Sequence, residues 1–186
     1  MARSFLILHG YLGSGPDHWQ TWLAERLRAA GETVAYPGLP DPEAPDLPAW
    51  SAALDAALDG EPTVLAHSLG CVLWLHHCAA GRARADRVLL VAPPSRAGAP
   101  EPIHPFFPAP LDPAALVGET RLVCAPDDPY CPEDAALLYG APLGIPVDVL
   151  PGAGHVTSDA GFGPWPEVEA WCYGASAIAS SRIAPG

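Results

Sequence analysis

The chain has 186 residues, 49% of them hydrophobic, enough to bury one sizeable core without help from metals or disulfides. Acidic residues outnumber basic ones by 21 to 9, and the net charge of −12 repels nucleic acid and anionic membrane surfaces. All nine basic residues are arginine, so no lysine is present to form a Schiff base or to complete a Walker phosphate loop.

In chain order, short apolar runs recur between turn residues: Phe5 to Leu8, Thr33 to Tyr36, Thr63 to Ala66, Arg87 to Ala92, Arg121 to Ala125 and Val147 to Leu150. Their length and lack of polar alternation predict six strands buried on both faces. Helical spacing falls between them, with Trp19, Leu23, Leu27 and Ala30 on one face and Trp50, Leu54 and Leu58 on another. Further helices are predicted over Leu69 to Ala80, Pro132 to Tyr139 and Pro166 to Tyr173. Strand and helix therefore alternate nearly throughout, which predicts an α/β fold, a mostly parallel sheet with helices on both faces. A reversal of winding near the first strand would gather the strand C-terminal ends into one crevice.

Two stretches break the rhythm, Pro37 to Pro48 and Pro93 to Gly118. The second is either a lid or an ordered surface loop. We expect one domain over residues 1–173 and a poorly ordered tail over 174–186. Five cysteines without C-x-x-C spacing predict buried free thiols. With a strand at the N-terminus and no cleavage-site pattern, the expected location is cytoplasmic.

Chemistry concentrates at three places, each following a predicted strand. Thr63-Val-Leu-Ala66 runs into His67-Ser68-Leu69-Gly70 and a helix, the strand-turn-helix setting of a nucleophile elbow, with Ala66 where glycine is usual. Ser68 would stand at the tip; its plainer reading is a helix N-cap. A serine hydroxyl needs a base, and His155 in Gly152-Ala-Gly-His155 is the candidate. His18, His76 and His77 read as surface or packing residues, whereas His67 is placed to line the pocket. The acid that orients the base is taken as Asp128, four residues before Pro132, and Asp127 as a turn cap. The order Ser68, Asp128, His155 is that of the α/β-hydrolase fold.

An oxyanion would need donors already in place, and the N–H groups of Leu69 and Tyr11 are the candidates. The loop His9-Gly-Tyr-Leu-Gly-Ser-Gly15 runs G-x-x-G-x-G, the reverse of a dinucleotide fingerprint, and no ligand-like His, Cys and carboxylate spacing occurs. Neither cofactor nor metal is expected. Phe106 and Phe107 are candidates for an apolar pocket rim, Trp165 for an acyl-pocket wall, and Trp19 for core. Cys131 reads as a packed thiol.

At these residues the sequence resembles the small serine hydrolases related to retinoblastoma-binding protein 9 and the bacterial YdeN proteins. The cues are His9-Gly-Tyr11 with Asp17-His-Trp19, Ala66-His-Ser-Leu-Gly70, Asp127-Asp-Pro-Tyr-Cys-Pro132, and Gly154-His155 followed by Gly163-Pro-Trp-Pro166. The resemblance covers nearly the whole chain. It implies a compact α/β-hydrolase with little or no cap domain, a Ser68, Asp128 and His155 triad, and a small ester or acyl compound as substrate. Peptidase or thioesterase activity with the same triad stays open, as does a binding or scaffolding role with a protein partner.

Overall fold

A computed structural model describes residues 2–178. Six strands, β1 (Ser4–Leu8), β2 (Thr33–Ala35), β3 (Thr63–His67), β4 (Arg87–Val91), β5 (Glu119–Cys124) and β6 (Val147–Val149), form one sheet in the order β2-β1-β3-β4-β5-β6. Every pairing is parallel, with Leu8 beside Ala66 and His67 beside Val91. Winding reverses between β1 and β3, so the loops leaving their C-terminal ends diverge around one crevice.

Side-chain alternation along the strands divides the core into two layers. Leu6, Leu8, Val64 and Ala66 pack with Trp50 and Leu54 of α2 (Leu47–Ala57) and with α3 (Leu69–Ala79). Phe5, Ile7 and Leu65 face the other way, onto Trp19, Leu23 and Leu27 of α1 (Trp19–Ala29) and Val168 and Trp171 of α5 (Pro166–Cys172). The helices thus cover both faces, and among the described residues no cap domain stands over the crevice. All five cysteines are free and buried, and burial pushes the Cys131 thiol up to about 12. Among the described residues no helix is long and apolar enough to cross a membrane.

The helix expected over Pro132 to Tyr139 is instead a π-helical turn, Ala136–Gly140, running into α4 (Ala141–Leu143). Asp134 has a φ of +69° and its carboxylate accepts the Ala136 N–H at 2.9 Å, so the chain starts its helical course afresh there. The proline-rich stretch 93–118 supports only 3-10 turns, Glu101–Phe106 and Pro113–Ala115, because proline removes the donors a longer helix needs.

That stretch also corrects the reading of Phe106 as a pocket rim. Phe106 is fully buried, edge-on to Trp50 at 5.4 Å, and its carbonyl accepts His76 Nε2–H at 2.8 Å. Sequence position alone could not tell which way an aromatic in an irregular segment points. Residues at the start of the expected tail are held as well. Ile178 is buried and its N–H donates to Asp148 at 2.7 Å, while Arg87 donates to the Trp171 and Ala175 carbonyls and lies over the Trp171 ring at 4.0 Å. The rest of the expected tail, 179–186, lies outside the described residues.

If Phe106 seals the core, Phe106→Ala should lower stability by about 3–5 kcal/mol in urea unfolding. A loss below about 1 kcal/mol would place the ring at a surface instead.

Candidate active site

The site is built where β3 ends. Ser68 turns the chain sharply, at φ 53° and ψ −125°, a conformation that costs a residue with a side chain about 1–3 kcal/mol. It occupies the N-cap position of α3, yet its hydroxyl makes no capping hydrogen bond. The N-cap reading therefore fails on geometry. The Oγ stands instead 2.9 Å from His155 Nε2.

Two glycines make that turn possible. A Cβ on Gly10 would lie 2.7 Å from Ser68 Cβ, and one on Gly70 would lie 2.6 Å from the Leu8 carbonyl oxygen, distances real side chains do not reach. The loop after β1 and the elbow after β3 are packed backbone to backbone.

His155 Nδ1 lies 2.9 and 3.0 Å from the two oxygens of Asp128, which is 4% exposed. A carboxylate only accepts, so Nδ1 carries the proton and Nε2 presents its lone pair to the Ser68 hydroxyl. Asp128 is itself held by the Tyr130 N–H at 2.9 Å, and the Tyr130 ring packs on the imidazole at 4.4 Å. Asp127 does more than cap its own turn. Its two oxygens accept the N–H groups of Gly152 and Gly154 at 2.9 and 3.0 Å, across 25 and 27 residues, and clamp the loop that carries His155.

The loop after β1 is fixed as firmly. His9 donates Nδ1–H to the Gly10 carbonyl at 2.8 Å and accepts the Leu39 N–H on Nε2 at 3.0 Å, and burial lowers its pKa and keeps it neutral. The fully buried Gln20 donates to the Leu8 carbonyl at 2.9 Å and accepts from Ser14 Oγ at 2.7 Å. Between these anchors the Tyr11 N–H has no hydrogen-bond acceptor among the described residues. Leu69 is the first residue of α3, where a helix leaves its N–H unpaired.

These groups open on a cleft of about 590 Å³ lined by Tyr11, His18, His67, Ser68, Tyr130 and His155, among others. His67 is buried and held well below the usual histidine range, first by desolvation and then by His155 and His18. Its Nε2–H donates to the His155 carbonyl at 2.9 Å, a second tie on the loop that carries His155. Among the described residues no group of three or more His, Cys, Asp or Glu is arranged to hold a metal.

Three of the sequence-predicted pocket residues are not in this cleft. Phe106 is in the core, as described above. Phe107 lines a separate hollow of about 430 Å³ with Arg96, Leu111, Leu138 and Tyr139. Trp165, 2% exposed, packs edge-on against Trp19 at 5.3 Å and Phe162 at 5.1 Å, so helix packing takes the ring inward. Conversely, Asp127, Gln20, His9 and His18 hold or line the site although the sequence reading gave them no such part. The doubled carboxylate before a proline and the Asp17-His-Trp-Gln20 run were the available signals.

The family model for serine hydrolases matches residues 5–173. Over 74 residues the chain is 36% identical to YdeN of Bacillus subtilis (strain 168), a stretch spanning 38% of this chain and 39% of that protein. The crystal structure of the B. subtilis ydeN gene product superposes with a TM-score of 0.78 at 23% identity, covering 92% of this chain and 97% of that one. A YdeN-like protein of Pectobacterium atrosepticum gives a TM-score of 0.76 at 20% identity, over 91% and 88%.

If Asp127 clamps the histidine loop, Asp127→Ala should speed hydrogen exchange at the Gly152 and Gly154 amides by about 10–100-fold, as expected for losing charge-assisted bonds. Asp127→Asn, which keeps one acceptor oxygen, should recover part of that protection. Unchanged exchange in the alanine variant would contradict the clamp.

Proposed function

The chain belongs to the serine hydrolase family, and from that premise we propose that it hydrolyses a small ester or acyl substrate through an acyl-enzyme on Ser68. One observation carries this reading: the Ser68 hydroxyl forgoes its helix cap and instead meets, at 2.9 Å, an imidazole whose other nitrogen is bound by both oxygens of a buried aspartate.

Ser68 Oγ adds to the substrate carbonyl while His155 Nε2 takes the hydroxyl proton. Asp128 keeps the base in its reactive tautomer and stabilises the imidazolium that forms. The carbonyl electrons move onto oxygen, where the Tyr11 and Leu69 N–H groups receive them; donors fixed in advance are worth about 10²–10³ in rate each. The oxyanion collapses, the bond to the leaving alcohol breaks, and the alcohol departs with the proton from His155. Water, deprotonated by the same imidazole, then adds to the acyl carbon and releases the acid and Ser68.

The cleft suits a small substrate, and of the side chains around it we assign His67 to the pocket wall. No part of this scheme uses a cofactor or a metal. The net charge of −12 argues against polyanionic substrates.

Ser68→Ala should lower kcat/KM for a short-chain p-nitrophenyl ester by at least about 10³-fold while leaving the melting temperature within a few degrees. Hydrolysis by the variant at the wild-type rate would exclude Ser68 as nucleophile.

A further inference from the structure

Beside His155 and the already bonded His67, the cleft holds a third imidazole, which the proposed chemistry does not use. His18 lines it and is only 5% exposed. As N-cap of α1 it accepts the Gln20 N–H on Nδ1 at 3.2 Å. Burial, and secondarily His155, lowers its pKa to about 4, so the ring is neutral at pH 7. A neutral imidazole with an accepting Nδ1 carries its proton on Nε2. That N–H has no acceptor among the described residues and is not sealed from solvent, so it is presented to whatever fills the cleft. A largely desolvated donor gains most when its ligand supplies an acceptor, and discriminates against a ligand that does not.

Position narrows which part of a substrate it meets. The His18 ring lies 4.8 Å from that of His67, which lies 5.0 Å from that of His155. His155 Nε2 hands its proton to the leaving alcohol, so the alcohol portion passes along this run of rings. Pro94, Pro100 and Ile103 also line the cleft and add apolar surface to it. Among the described residues Asp159 is the one carboxylate lining the cleft and no arginine lines it, which disfavours an anionic alcohol.

We infer that His18 Nε2–H is a specificity donor that binds an oxygen acceptor in the alcohol portion of the substrate, so that the site selects uncharged esters of oxygen-bearing alcohols over esters of plain alkanols. This rests on the ester-hydrolase reading of the same site. The hydrogen bond forms to a neutral ether or hydroxyl oxygen within a few atoms of the ester oxygen, and no proton is transferred.

Isosteric butyrate esters test it on the purified full chain: 2-methoxyethyl against n-butyl, and 3-methoxypropyl against n-pentyl. Wild type should favour at least one ether ester over its alkyl partner by about five- to tenfold in kcat/KM. In His18→Phe both rates fall and that ratio collapses to near one. His18→Asn retains an N-cap acceptor but withdraws the donor from the cleft, and its ratio collapses too. A preference that survives in either folded variant overturns the inference, as does equal turnover of every ester pair by wild type, which leaves the ester-hydrolase reading standing. Turnover of no ester overturns both.

Discussion

The whole site hangs on the backbone reversal at Ser68. A residue with a side chain is held at positive φ, in a turn that carries β3 into α3 and aims the hydroxyl away from the helix end it would otherwise cap. The turn fits because neighbouring backbone comes where side chains normally stand: Gly10 against Ser68 and Gly70 against the end of β1. The strain is local and the compensation is spread through the sheet, since β1 and β3 are neighbours, buried on both faces, and in fixed register. The hydroxyl that would otherwise cap the helix is left to meet the His155 ring.

Around that turn, polar side chains join elements remote in sequence. Asp127 and Asp128 are adjacent but act on different atoms of one loop, the first on its backbone amides and the second on the His155 ring. His67 ties the His155 carbonyl from the elbow side, and His9 ties the β1 loop to Leu39. The buried histidines act here as neutral donors and acceptors, and burial lowers their pKa values to match. The groups of the proposed triad sit on loops, but each loop is tethered at its backbone, so the geometry is set before any substrate arrives.

The fold was legible because a parallel sheet covered on both faces leaves a plain trace: short apolar runs at every strand, with helical spacing between them. Ser68, Asp128 and His155 were legible as a set because each follows a strand and their order suits the fold. Phe107 borders a separate hollow, whereas Phe106 and Trp165 were misplaced because an aromatic has the same appearance in sequence whether it lines a cleft or fills a core. Packing against Trp50 and Trp19 decides that, and both partners lie far away in the chain. The 27-residue reach of Asp127 to Gly154 and the place of His18 in the cleft wall arise from tertiary contacts in the same way. The disorder expected from residue 174 rested on composition, which carries no sign that Arg87 and Asp148 hold residues 175 and 178.

The central claim is that His155 and Asp128 activate Ser68 as a nucleophile, and active-site titration with a fluorophosphonate probe tests it without assuming a substrate. After reaction at neutral pH and digestion, mass spectrometry should find about one probe per chain, attached to Ser68. Failure of the folded protein to react, or attachment at another residue, would contradict the account.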